Sequence, residues 1–155
     1  MKLDIGAGPV GAHAPDFLTV DAFAPADCKA QMWDLPFPDG SVDEIWSSHA
    51  LEHVQRSDVL PTLKEWHRVL RKGGTATISV PDLDYVARYW LRHPGQPRAL
   101  AILFGNQKHE GEFHKTGWGI RSLQGDLRSA GFRVQSIVSI YDHHQQTLRA
   151  HVSRV

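Results

Sequence analysis

Lys2-Leu3-Asp4-Ile5-Gly6-Ala7-Gly8-Pro9 runs a short apolar strand into two glycines one residue apart. A glycine turn after a strand lets bare backbone approach a ligand at the strand's carboxyl end. Two acids follow in matching settings. Phe17-Leu18-Thr19-Val20-Asp21 is a second apolar run closed by a carboxylate, where nucleoside-binding sheets hold a ribose. Gln31-Met32-Trp33-Asp34-Leu35 repeats the pattern. Taken singly, each acid reads as a solvated strand end or a helix cap; their order along the chain favours a ligand site. A different chemistry is offered by His49-Ala50-Leu51-Glu52-His53, whose imidazoles, if helical, would share a face that can hold zinc with Glu52 as base.

The elements that must position these residues follow from periodicity and breakers. Strands are expected at 2–6, 17–21, 30–34 and 42–48. A helix capped by Ser57 or Asp58 carries Val59, Leu60, Leu63, Trp66, Val69 and Leu70 on one side and ends at Gly73-Gly74. The next strand is expected at 75–80, then helices at 83–93 and 97–104, split by Pro94-Gly95. Ser122 opens a further helix closing at Gly131, and strands at 132–141 and 146–155 form a hairpin turning at Asp142-His143-His144. Such a hairpin suits an antiparallel edge on an otherwise parallel α/β sheet.

Composition narrows the class. A chain of 155 residues, 41% hydrophobic and 22% charged, is expected to fold as one ordinary domain spanning 1–155. Seventeen basic and seventeen acidic residues give no net charge to attract nucleic acid or an anionic membrane. Arg68, Arg71 and Lys72 are read as a solvated helix end favoured by the dipole. One cysteine, Cys28, read as a small buried hydrophobe, permits no internal disulfide and points to a reducing, cytoplasmic setting. No run has the length of a membrane span or signal peptide.

Gly6-Ala7-Gly8, Asp21 and Asp34-Leu35 resemble the successive cofactor motifs of class I S-adenosylmethionine-dependent methyltransferases, in a compact, type 11-like form. The likeness continues through Leu35-Pro36-Phe37-Pro38-Asp39-Gly40-Ser41-Val42-Asp43-Glu44-Ile45, Ser48 to His53, and Glu65 to Gly74. Val80-Pro81-Asp82, His114-Lys115 through Trp118, and Leu127 to Phe132 also fit. The resemblance implies a Rossmann-like sheet and S-adenosyl-L-methionine as cofactor. It implies a cofactor site of Asp4, Gly6, Ala7, Gly8, Pro9, Asp21, Ala22, Asp34, Leu35 and Ser48. Asp21 would accept both ribose hydroxyls, Asp34 the adenine amino group, and Asp4 would hold the glycine loop. The acceptor would be a small or sugar-containing molecule whose proton is taken by His49 or, second, His114.

Position along the chain separates the rival chemistries. A dinucleotide needs a helix N-terminus after Gly6-x-Gly8-x-x-Gly11 to meet its pyrophosphate, and no such helix is expected. The zinc reading needs a third ligand, Glu110 or Glu112, while its pentapeptide sits at the strand edge where α/β sheets bind ligands; no metal is expected. His109-Glu110-Gly111-Glu112-Phe113-His114-Lys115 matches no defined metal spacing and reads as a mobile polar loop, with Phe113 and Trp118 able to line an acceptor pocket. A non-catalytic binding protein on the same sheet is a further alternative.

The connections 9–16 and 23–27 are too short and too rich in Pro and Gly for crossover helices. Thr75, Thr77 and Ser79 alternate with Ala76, Ile78 and Val80, and Arg133, Gln135 and Ser139 alternate with Phe132, Val134, Val138 and Ile140. Alternation marks one wetter sheet face. That thin face would be solvated, covered by a second subunit through Trp46 and Ile137 in a homodimer, or crossed by the segment from Asp82 to Phe104.

Overall fold

The computed structural model describes residues 1–108, 110–142 and 145–155; His109 and the expected turn residues His143-His144 lie outside the described residues. The chain builds β1 (Lys2–Ile5), β2 (Phe17–Val20), β3 (Val42–Ser48), α1 (Arg56–Val69), β4 (Leu70–Pro81) and α2 (Leu83–Arg92). There follow α3 (Pro97–Phe104), α4 (Ile120–Ser129), β5 (Phe132–Asp142) and β6 (Gln145–Arg154). Short 3₁₀ turns occupy Gly8–Val10, Leu51–His53 and Glu110–Glu112. One sheet runs in the order β2-β1-β3-β4-β6-β5. Its first four strands are parallel, and β6 lies antiparallel between β4 and β5. This is the mostly parallel Rossmann-like sheet with a C-terminal antiparallel ribbon that the sequence predicts.

Strand alternation sends Leu3, Ile5, Ile45, Ile78, Leu148 and Val152 into one core with Leu63 and Trp66 of α1 and Leu123 and Leu127 of α4. Each such buried side chain contributes about 1.5–3 kcal/mol. The other face is thin. Register aligns Asp4, Trp46, Thr77 and His151 in one row across it, and Thr75 and His151 are exposed. Among the described residues, Trp46 is met on this face by a loop ring and a strand side chain. The His13 ring stacks on it at 3.6 Å between centroids, and the Arg149 guanidinium lies 5.3 Å from its ring. α2 and α3 instead pack beside the carboxyl end of β4 and the adjoining end of the β5–β6 ribbon, where Asp82 N donates to Gln146 O and Arg98 to the Tyr141 hydroxyl.

Several local expectations are corrected. No strand forms at 30–34; the segment makes only isolated bridges, Val20 with Cys28 and Gln31 with Asp34. Side chains of α1 suspend it instead: Trp66 Nε1 donates to Met32 O at 2.8 Å, and Leu35 N to Glu65 Oε1 at 2.9 Å. Arg68, far from a solvated helix end, donates to Leu35 O and Phe37 O and pairs with Glu65 and Asp39. Helix α1 stops at Val69, before Gly73-Gly74, because Arg154 Nη1 donates to the carbonyls of His67, Arg68 and Leu70 there. The glycine pair lies inside β4, where a Cβ on Gly74 would stand 2.9 Å from Arg71 O. The N-caps are Gln55 and Gly119, with Ser122 at the third helical position of α4 accepting from Gly119 N. Ile137 packs against the core, because a bulge between Val134 and Ser136 shifts its register. Cys28 is a free, half-buried thiol against the same core.

Candidate functional site

The carboxyl ends of β1, β2 and β3 meet at one edge of the sheet. Gly6 follows β1 with φ +74°, its N–H donating to Val20 O at 2.8 Å. A Cβ there would lie 2.3 Å from the Cβ of Ala50, so the loop after β3 excludes any side chain. Gly8 also has positive φ, +64°, but no atom lies within 4 Å of its would-be Cβ. Ala7 caps the 3₁₀ turn that Pro9 begins to fill. Asp4, buried on the thin face, accepts from His13 N at 2.6 Å and so fastens the far end of this loop rather than its glycines. Burial pushes the Asp4 carboxyl up, partly offset by that amide and by the His13 charge.

Asp21 closes β2 and organises the neighbouring turn. Oδ2 accepts from Gly8 N at 3.0 Å, and Oδ1 from Phe23 N and Ala24 N, both at 2.7 Å. A carboxylate offers roughly four lone-pair sites. Three are taken, which leaves Oδ2 room for one further donor.

These residues border a cleft of about 710 Å³, within the range of small-molecule sites. Gly6, Gly8, Pro9, Asp21 and Ala22 line one side; Met32, Trp33, His49 and His53 line others. Asp34 and Leu35 do not reach it. Asp34 is exposed and Leu35 is buried in the core, so Met32 and Trp33 form the apolar wall there. Ser48 ends β3 with its hydroxyl buried and without a hydrogen-bond partner. A second cavity of about 440 Å³ adjoins, lined by Glu52, Arg98, His114 and Gln145, and His49 and His53 border both spaces.

His49 holds a left-handed backbone, φ +54°, uncommon for a residue with a side chain. Its Nδ1 lies 3.0 Å from Gln145 Nε2, and its Nε2 3.2 Å from Thr147 Oγ1. These β6 partners were missed by sequence reasoning, since nothing in the linear order ties them to His49. Glu52 is 1% exposed. Burial opposes its ionisation, yet the imidazoles of His49, His53 and His114 hold its carboxyl below the usual range. His114, expected near the acceptor, lies in the second cavity, where burial pushes its imidazole down against the pull of Glu52. Phe113 is exposed, and Trp118 is wholly buried with Nε1 donating to Asp126. Among the described residues no helix is long and apolar enough to cross a membrane.

An open, mostly parallel sheet with its cleft at the carboxyl ends of adjacent strands defines a Rossmann-like α/β architecture, in which that edge is where ligands bind. Residues 11–78 match the family model described as a methyltransferase domain. Over 53 residues the chain is 45% identical to malonyl-[acyl-carrier protein] O-methyltransferase of Laribacter hongkongensis, a match spanning 34% of this chain and 17% of that relative's length. In fold it is similar to 1,6-didemethyltoxoflavin-N1-methyltransferase of Burkholderia thailandensis, solved with its substrate and S-adenosylhomocysteine. The TM-score is 0.71 at 19% identity, covering 99% of this chain and 70% of that one. A possible histamine N-methyltransferase of Thermotoga maritima aligns with TM-score 0.68 at 17% identity, covering 99% and 82%. Residues 11–78 thus carry the likeness to a methyltransferase domain, and the chain as a whole is similar in fold to S-adenosylmethionine-dependent methyltransferases.

Proposed function

We propose that this chain binds S-adenosyl-L-methionine in the cleft beside Gly8 and Asp21 and passes its methyl group to a small-molecule or sugar-containing acceptor. The observation that carries the reading is the convergence of the Gly6–Gly8 loop, the Asp21 carboxylate and His49 on one cleft. Gly8 borders the cleft with open space beside its backbone, Asp21 retains one acceptor site for a ribose hydroxyl, and Met32 with Trp33 supplies an apolar wall for adenine. The S-adenosylhomocysteine in the Burkholderia neighbour supports this cofactor, and its small substrate supports a small acceptor.

The cofactor supplies an electrophilic methyl on a sulfonium; the chain must align the acceptor and receive its proton. His49, standing between cleft and second cavity, is the group we assign to that proton; His114, turned towards Glu52, is not. The single cysteine supports a cytoplasmic setting.

Calorimetric titration with S-adenosylmethionine and S-adenosylhomocysteine tests the reading. Wild type is expected to bind at micromolar ligand, and Asp21→Asn to bind about 10–100-fold more weakly, the loss of one charged hydrogen bond. A melting curve confirms that the variant is folded. Wild type failing to bind at millimolar ligand overturns the reading.

A further inference from the structure

Glu52 is buried at 1% exposure, and neither of its carboxylate oxygens has a hydrogen-bond partner. A buried ionised carboxylate without donors costs several kcal/mol, so such a group is normally neutralised or ligated. Imidazoles surround it. Oε1 lies 3.4 Å from His49 Nδ1 and 3.9 Å from His114 Nε2.

Two of the surrounding rings have their tautomer set by backbone. His53 Nδ1 is 3.0 Å from Phe113 O, and His114 Nδ1 is 2.7 Å from Ile102 O. A carbonyl only accepts, so each Nδ1 carries the proton and each neutral ring keeps its lone pair on Nε2. Hydrogen bonds of this kind orient metal-ligating histidines and raise their basicity. One ligand atom each from Glu52, His53 and His114 lies within 4.8 Å of the others. Ligands of a zinc ion sit about 3–4 Å apart, so modest side-chain rotation closes the set.

This is not the set that the linear His49-x-x-Glu52-His53 motif implies. His49 is engaged by Gln145 and Thr147, and the third ligand comes from the loop before α4.

The geometry points to a mononuclear site in which Glu52, His53 and His114 bind one first-row divalent transition ion, of the Zn²⁺ or Co²⁺ kind. Two imidazole nitrogens and one carboxylate suit that class of ion better than Mg²⁺ or Ca²⁺. Three protein ligands leave a coordination position open, as in catalytic rather than structural sites. All three residues line the second cavity, with Arg98, Asn106 and Gln145. An ion there would hold an acceptor oxygen and lower the pKa of its hydroxyl. That role assigns an oxygen-bearing acceptor and rests on the methyl-transfer reading; ion binding itself does not.

Co²⁺ titration of the full chain, followed by visible absorption, with Zn²⁺ content after gel filtration, tests the site. The expected result is one ion per chain and a raised melting temperature with Zn²⁺. Glu52→Gln and His114→Ala should each bind at least about tenfold more weakly, a loss no smaller than that from removing an outer-shell partner. His151→Ala, an exposed histidine on the thin face, should bind as wild type does. If Glu52→Gln fails to fold, His114→Ala carries the comparison. Wild type retaining no stoichiometric ion, or both ligand variants binding like wild type, overturns the site. Calorimetry with S-adenosylmethionine on chelator-treated protein separates the two proposals. Cofactor binding together with no uptake of Co²⁺ or Zn²⁺ in the titration defeats the metal site alone; ion uptake together with no cofactor binding, with or without the ion, defeats the methyl-transfer reading alone.

Discussion

Gly6 and Gly8 share a left-handed backbone but differ in what surrounds them, and that difference can be measured. Alanine at Gly8 bears the left-handed φ, about 1–2 kcal/mol. Reduced freedom of the unfolded chain offsets about 0.4–1 kcal/mol of this. The net loss of about 1 kcal/mol lowers Tm by about 2–4 °C in a chain of this size. Alanine at Gly6 bears the same strain and also drives a methyl to 2.3 Å from the Ala50 Cβ. Overpacking of that kind adds about 1–3 kcal/mol, for a total of about 2–4 kcal/mol and a Tm drop of about 5–15 °C. Ala50→Gly removes the struck methyl, so a double-mutant cycle with Gly6→Ala should recover about 1–3 kcal/mol of coupling. Urea denaturation of the four proteins reads it. Equal losses at Gly6 and Gly8, or a coupling near zero, would refute the claim that the glycine loop after β1 rests on the loop carrying His49.

Two further predictions concern the frame around the site. Arg154→Met removes a donor from three carbonyls at the end of α1, of which Arg68 O keeps Gly40 N, and should cost about 1–3 kcal/mol, seen as a lower urea midpoint with unchanged slope; an unmoved midpoint would mean that water serves the other carbonyls equally well. Burial pushes the Asp126 carboxyl up, but hydrogen bonds from Arg56 and Trp118 outweigh it and hold it below the usual range. Its contribution is therefore whole above the unfolded-chain value of about 3.9 and fades as pH falls through the lower folded value. The stability gap between wild type and Asp126→Asn should be constant near neutrality and shrink below about pH 4; a gap that widens in acid contradicts the assignment.

The sheet was legible because its evidence is local. Ala76, Ile78 and Val80 alternating with threonine and serine announce a one-faced strand, and the glycine turn after Ile5 fixes the cleft's edge. What escaped depended on contacts distant in sequence. The run 30–34 looks like a strand by composition, yet its backbone is held by Glu65, Trp66 and Arg68, partners no periodicity reveals. Leu35 is consequently core and Met32 and Trp33 face the cleft. Ile137 turned inward through one bulge that shifts every later residue to the other face. Glu52 and His114 come together only because the loop before α4 folds back, Lys115 N donating to Glu52 O at 2.8 Å.

The His13–Trp46–Arg149 stack carries a consequence for how this surface can change. The main apolar seam lies on the α1 and α4 side, whereas the opposite face carries a stacked ring, a guanidinium and hydroxyls of which Thr75 is exposed. Residues such as Thr75 and His151 can therefore be rewritten without disturbing either the seam or the cleft, leaving a panel on which charge can drift or a contact can be acquired. The panel ends at Asp4: through its bond to His13 the free face becomes answerable to the glycine loop after β1.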